Sequence, residues 1–372
     1  MKKYIPTIFI SILVLFCITN PENMINSAKS GLTLWATIIV PSLFPFMILS
    51  DLIQKTAIPF ILGKFLTPLM NLFFNLPGIS SLAIFLGMTG GYPIGAKITS
   101  DLLKENSITL QDANHLITFV NNTGPLFMLG AVGIGIYKNT YVGLLLLISH
   151  YISAILIGFI YKFIKSKNNI NQHNTSQISF NIIKISDIGS ILTETVKKSI
   201  DTTLSIGGFI ILFSIISSLI EKSNILSLLT IPGLTTEVST SFVTGLLEVT
   251  NGINKIATVN NIPLLNKLII TSILIGFGGM SIHFQTLSII CNSKINFAKY
   301  LIGKTAQGML SGIITFLLLG YTNFSKLIPL NVFNSFAINS TEFIQIQNTI
   351  LIFFVFIVIF KLFQLLSYRK NH

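Results

Sequence analysis

An ionisable residue inside an oily stretch is costly enough that it marks a candidate for function. Glu248 stands among Leu246, Leu247 and Val249. There it could take a coupling proton or cation, or accept hydrogen bonds from a ligand. A structural alternative is neutralisation by Lys255, about two helical turns further on. Lys97 ends the stretch GMTGGYPIGAK (87–97) and Lys255 ends GLLEVTNGINK (245–255), so each follows a glycine by ten positions. Either lysine could add a full charge to an anion-binding turn, or simply run its stem to the membrane surface. His283 follows GGMS (278–281) and could handle a proton, although a lone histidine in apolar sequence is more often a packed, satisfied residue.

The turns beside these side chains supply the complementary chemistry. Gly90, Gly91, Tyr92, Pro93 and Gly95 interrupt one apolar region, and Asn121, Asn122, Thr123 and Gly124, followed by Pro125, interrupt the next. In the second half Thr250, Asn251 and Gly252, then Gly278, Gly279 and Ser281, do the same. Glycine and proline remove helix propensity and a backbone donor, so no ordinary membrane helix runs through such composition. Unpaired backbone at membrane depth is tolerated inside protein or beside a water-filled cavity. Helix N-termini left at such breaks offer N–H groups and partial positive charge, which suit an anion. Tyr92 and Phe284 could add aromatic faces.

The elements that must position these groups follow from composition. The chain has 372 residues, 51% hydrophobic and 10% charged, which excludes an ordinary soluble globular protein. The expectation is an all-α integral membrane protein with the lipid bilayer as its first partner. The net charge of +12 comes mostly from lysines in loops and at span ends, which points to topology and not to nucleic acid. Cys17 and Cys291 make no disulfide framework or zinc spacing, so neither a metal nor another cofactor is expected. The residue pattern predicts an uncleaved first span over 1–19, a second over 32–53 carrying Pro41 and Pro45, and an interfacial helix over 57–76. A re-entrant hairpin around 87–97, a broken span over 108–137 and a span over 141–163 follow. The polar stretch 165–198 divides the chain, and its lysines place it in the cytoplasm. Beyond it come a span over 202–220, a second hairpin over 235–255, a second broken span over 264–290, and spans over 298–319 and 350–366.

The order of interruptions is the same in both halves. The domains expected are an N-terminal span and loop (1–30), a first repeat (31–164), a linker (165–200), a second repeat (201–321) and a C-terminal loop, span and tail (322–372). With about eight crossings, both termini are cytoplasmic and the second repeat is inverted relative to the first. Inverted repeats with two re-entrant hairpins and two broken helices, meeting near the midplane, are a secondary-transporter architecture. No Gly-x-Ser-x-Gly, His-Glu-x-x-His or paired-cysteine signature is present, and Gly303-Lys304-Thr305 lacks the first glycine of a phosphate loop. Neither an enzyme nor an ATP-driven pump is expected. Oligomeric state is left open.

Three stretches also carry a family resemblance: GLTLWATIIVPSLFPFMILSDLI (31–53), GMTGGYPIGAK (87–97) and FVNNTGPLFMLGAVGIG (119–135). Together the chain resembles the YlbJ family of sporulation integral membrane proteins, whose halves belong to the nucleoside-recognition or Gate domain group. The resemblance implies a protein of the outer forespore membrane, made in the mother cell of a spore-forming bacterium. It implies transport of dipicolinic acid, a small aromatic dianion, toward the forespore. A nucleoside or base permease is the alternative within the same group, and a membrane scaffold for spore-envelope assembly is the alternative outside transport.

Overall fold

The computed structural model describes residues 4–56, 58–164, 188–222, 231, 234–260 and 262–321. Among the described residues the fold is all helical. The expected last span at 350–366, and residues 165–187 of the polar divider, lie outside them.

α1 (Ile5–Thr19) leads into α2 (Pro21–Leu34), which continues through a π-helical turn at Trp35–Ile39 into α3 (Val40–Gln54). Proline is tolerated at a helix start because the N–H it lacks there has no intrahelical partner. Pro21 begins α2, and the irregularity in this rod falls just before Pro41. α4 (Ile58–Phe74) is followed by a short 3-10 turn and by α5 (Ser81–Gly90). Gly63–Phe74 and Gly78–Gly90 are bent by 89° to each other, so the chain turns sharply on its way into the first hairpin. α6 (Ile94–Lys104) returns from α5, and α7 (Leu110–Leu116) starts with a capping box between Thr109 and Asp112. A π-helical segment at Phe127–Ile136 and α8 (Thr140–Ile164) complete the first half.

α9 (Ile188–Lys222) has 35 residues, about 50 Å of helix and far more than the roughly 30 Å of a bilayer core. The polar divider was expected to extend to Lys198, but its last residues are helical, because Ile188, Ile191 and Leu192 begin the apolar pattern while lysines occupy the other faces. α10 (Thr236–Leu247) and α11 (Val249–Thr258) form the second hairpin. α12 (Leu264–Phe277) and α13 (Gly279–Ile290) form the second broken helix, and α14 (Phe297–Tyr321) ends the described chain.

Among the described residues four helical stretches are long and apolar enough to cross a membrane: Thr140–Ile164, Ile188–Lys222, Leu264–Ile290 and Phe297–Gly320. Ile152, Ile155, Leu156, Phe159, Ile160 and Phe163 of α8 lie exposed, which suits lipid contact and not water. The chain is an integral membrane protein. α9 runs antiparallel to the α2–α3 rod: Lys222 reaches Asn20, the Trp35 indole donates to the Thr203 carbonyl at 2.9 Å, and Thr195 donates to Asp51. Buried apolar residues form two clusters, one around α3, α5, α6 and α7, the other around α8, α10, α11 and α12.

Candidate functional site

Close backbone packing fixes the first hairpin. A Cβ on Gly87 would lie 2.1 Å from the Val120 carbonyl oxygen, and one on Gly95 would lie 2.2 Å from the same oxygen. Only glycine therefore lets both arms rest on the segment before the break at 121–124. Gly91 at the tip has φ +84°, a left-handed conformation that glycine adopts without strain. A Cβ there would lie 3.0 Å from the backbone nitrogen of Gly124, so the tip touches the first broken helix.

The second hairpin turns over one residue. Glu248 is extended between α10 and α11, and its carboxylate accepts the backbone N–H groups of Thr250 at 3.1 Å and Asn251 at 2.7 Å. It caps its own helix, which offsets the orphan donors at the α11 start. Gly252 packs on Gly245, where a Cβ would come within 2.1 Å of the Gly245 Cα. The second broken helix breaks at Gly278 and Gly279, with φ +95° and +76°. A Cβ on Gly278 would sit 3.2 Å from the Tyr92 hydroxyl, and one on Gly279 would sit 3.1 Å from the Gly245 carbonyl oxygen. Both hairpins and both breaks thus meet in one region.

A cavity opens there, spanning about 710 Å³ including its mouth. Its polar wall is made by Thr89, Tyr92, Thr123, Glu248, Thr250, Ser281 and Gln285, and its apolar wall by residues such as Leu43, Ile206, Ile210 and Val249. These apolar residues come from both packed clusters and from both long rods.

Of the residues singled out in the sequence, Gly90, Gly91, Tyr92, Thr123, Gly124, Glu248, Thr250 and Ser281 border this cavity. Others hold the frame around it. Pro93 precedes α6 and Gly95 packs on Val120. The Asn121 side chain accepts from the Ala96 N–H and donates to Thr286, while the Asn122 amide donates to the Phe119 carbonyl and accepts from Gln307. Asn251 contributes its backbone N–H to Glu248, and Gly252, Gly278 and Gly279 serve close packing and turning. His283 is buried, with Nδ1 at 3.1 Å from the Tyr300 hydroxyl. Phe284 lies tilted against Phe213 with ring centroids 5.6 Å apart.

The two lysines are placed differently from expectation. Lys97 is buried against Asp51, 3.2 Å away, and Lys255 pairs with Glu221 at 2.6 Å and not with Glu248. Neither borders the cavity, because each sits one or two turns into the second arm of its hairpin and faces a carboxylate on a long rod. Asp51 also holds Lys198 at 3.0 Å, and Lys198 lies 3.7 Å from Asp101.

Sequence reasoning set Lys304 aside with an incomplete phosphate loop and passed over Gln307 and His150. The Lys304 amine donates to the Asn121 carbonyl at 3.1 Å and to Gln307 Oε1 at 2.6 Å, and lies 4.9 Å from the centre of the Tyr92 ring. Gln307 also approaches His150, whose Nε2 accepts the Thr123 N–H at 3.2 Å. The rule that singled out Glu248, an ionisable residue within a span, applies equally to Lys304.

Among known proteins, the chain is 32% identical over 331 residues to the sporulation integral membrane protein YlbJ of Bacillus subtilis (strain 168). The match covers 83% of this chain and 81% of the relative. No family model matches the chain. No solved structure matches it.

Proposed function

The chain belongs to the YlbJ family of sporulation integral membrane proteins, and from that premise we propose that it is a transporter for a small organic anion. The observation that carries this reading is a cavity where two hairpin tips and two helix breaks converge. A membrane scaffold has no use for four backbone interruptions packed around an internal space, and a secondary transporter binds its cargo at such a point. The substrate proposed is dipicolinic acid, moved from the mother cell across the outer forespore membrane without covalent chemistry.

We read the architecture as two inverted repeats and about eight crossings. Supporting this, an acid near the end of a long rod meets a lysine in the second arm of a hairpin twice over: Asp51 with Lys97, and Glu221 with Lys255. A coupling proton or cation would act at Glu248, which lines the cavity.

One observation favours a second reading. The carboxylate and neutral acceptors on the cavity wall, Glu248 and Gln285, would suit the donors of a nucleoside or base. Uptake by proteoliposomes separates the two. Accumulation of labelled dipicolinate, competed by unlabelled dipicolinate and not by nucleosides, is the expected result. Uptake of nucleosides alone would replace the substrate, and uptake of neither would remove the transporter reading.

A further inference from the structure

Lys304 is fully buried within the apolar helix α14. The other buried lysine among the described residues, Lys97, has a carboxylate at 3.2 Å. Among the described residues Lys304 has only neutral partners: the Asn121 carbonyl, the Gln307 amide oxygen and the face of the Tyr92 ring. Those two oxygens satisfy two of the three ammonium donors, and the ring occupies a further side. An ammonium at membrane depth without a counter-charge is expensive, so charging Lys304 favours an anion beside it.

Its position suggests where that anion would sit. Tyr92 lines the cavity and its ring also lies 4.9 Å from the Lys304 amine, so the amine is one residue removed from the cavity wall. Tyr92 belongs to the tip of the first hairpin, beside Gly91 at φ +84°, and its hydroxyl reaches the Ile275 carbonyl at 3.5 Å and hydrogen-bonds with the Thr123 side chain. A cation–π contact is a weaker partner for an ammonium than a carboxylate placed in the same dry setting.

We propose that Lys304 is the cation of the substrate site, pairing with one carboxylate of the cargo when the Tyr92 ring gives way. This rests on the organic-anion reading above and adds to it the residue that selects charge. Lys97 and Lys255, committed to Asp51 and Glu221, have no part in it.

The test is equilibrium binding to purified full-length protein in detergent, using dipicolinate and its neutral analogue pyridine-2,6-dicarboxamide. Wild type should prefer dipicolinate, Lys304→Arg should retain that preference, and Lys304→Met should lose at least tenfold in dipicolinate affinity with little change for the diamide. If Lys304→Met does not fold, Lys304→Gln supplies the same comparison, since its amide can still donate to the Asn121 carbonyl. Equal loss of both ligands would assign Lys304 a purely structural role and overturn the proposal, as would undiminished dipicolinate binding. Failure of wild type to bind any carboxylate would instead overturn the organic-anion reading, and this inference with it.

Discussion

Asp51 holds Lys97 across 46 positions of sequence at 3.2 Å, both side chains almost fully buried. The pair ties the first hairpin to the α2–α3 rod, and Lys198 of α9 joins it on the same carboxylate oxygen at 3.0 Å. One carboxylate therefore fastens three elements.

Removing that carboxylate should be severe. Asp51→Asn leaves Lys97 buried without its counter-charge, and breaking a buried pair from one side costs about 3 to 5 kcal/mol. Glu221→Gln breaks the corresponding contact to Lys255, whose side chains are 35% and 43% exposed, and should cost no more than about 1 kcal/mol. Melting temperatures of the two purified variants check the contrast; equal losses would contradict it.

Glycines in this chain should divide sharply. Gly95→Ala forces a Cβ to 2.2 Å from the Val120 carbonyl, so the first hairpin must shift and the folded yield should fall. Gly208→Ala in α9 meets nothing within 4 Å and should be neutral or stabilising by up to about 1 kcal/mol. Size-exclusion profiles and melting of both variants measure the difference.

Glu248→Gln keeps one acceptor for the α11 N-terminus, whereas Glu248→Ala removes the cap at a cost of about 0.5 to 2 kcal/mol. Glu248→Gln should remain folded while its uptake in proteoliposomes falls several-fold. Wild-type uptake by the Gln variant would leave Glu248 with capping as its whole role.

The breaks were legible in the sequence because glycine, proline and asparagine act locally: 121–124 and Gly278 interrupt helices for reasons contained in a few residues. Partners distant in sequence were not legible. Nothing local to Lys97 names Asp51, and nothing local to Lys255 distinguishes Glu221 from Glu248. The turn of the second hairpin was expected at Asn251-Gly252 and falls at Glu248, because a carboxylate can cap the helix it precedes, leaving Gly252 free for packing on Gly245. Lys304 was weighed only as part of an incomplete phosphate-loop pattern, although its place within an apolar helix is the stronger signal.

Thr89 gives the most direct access to the central claim, that cargo binds between the hairpin tips. It lines the cavity, is half-buried, and its hydroxyl donates to the Phe85 carbonyl of its own helix at 2.8 Å. In a Cys17→Ser background, Thr89→Cys introduces one thiol at the cavity, while the exposed Cys291 serves as an internal reference. Saturating dipicolinate should slow alkylation of the cysteine at position 89 and leave Cys291 unaffected. Equal alkylation rates at position 89 with and without dipicolinate, under conditions where the same protein transports it, would contradict the account.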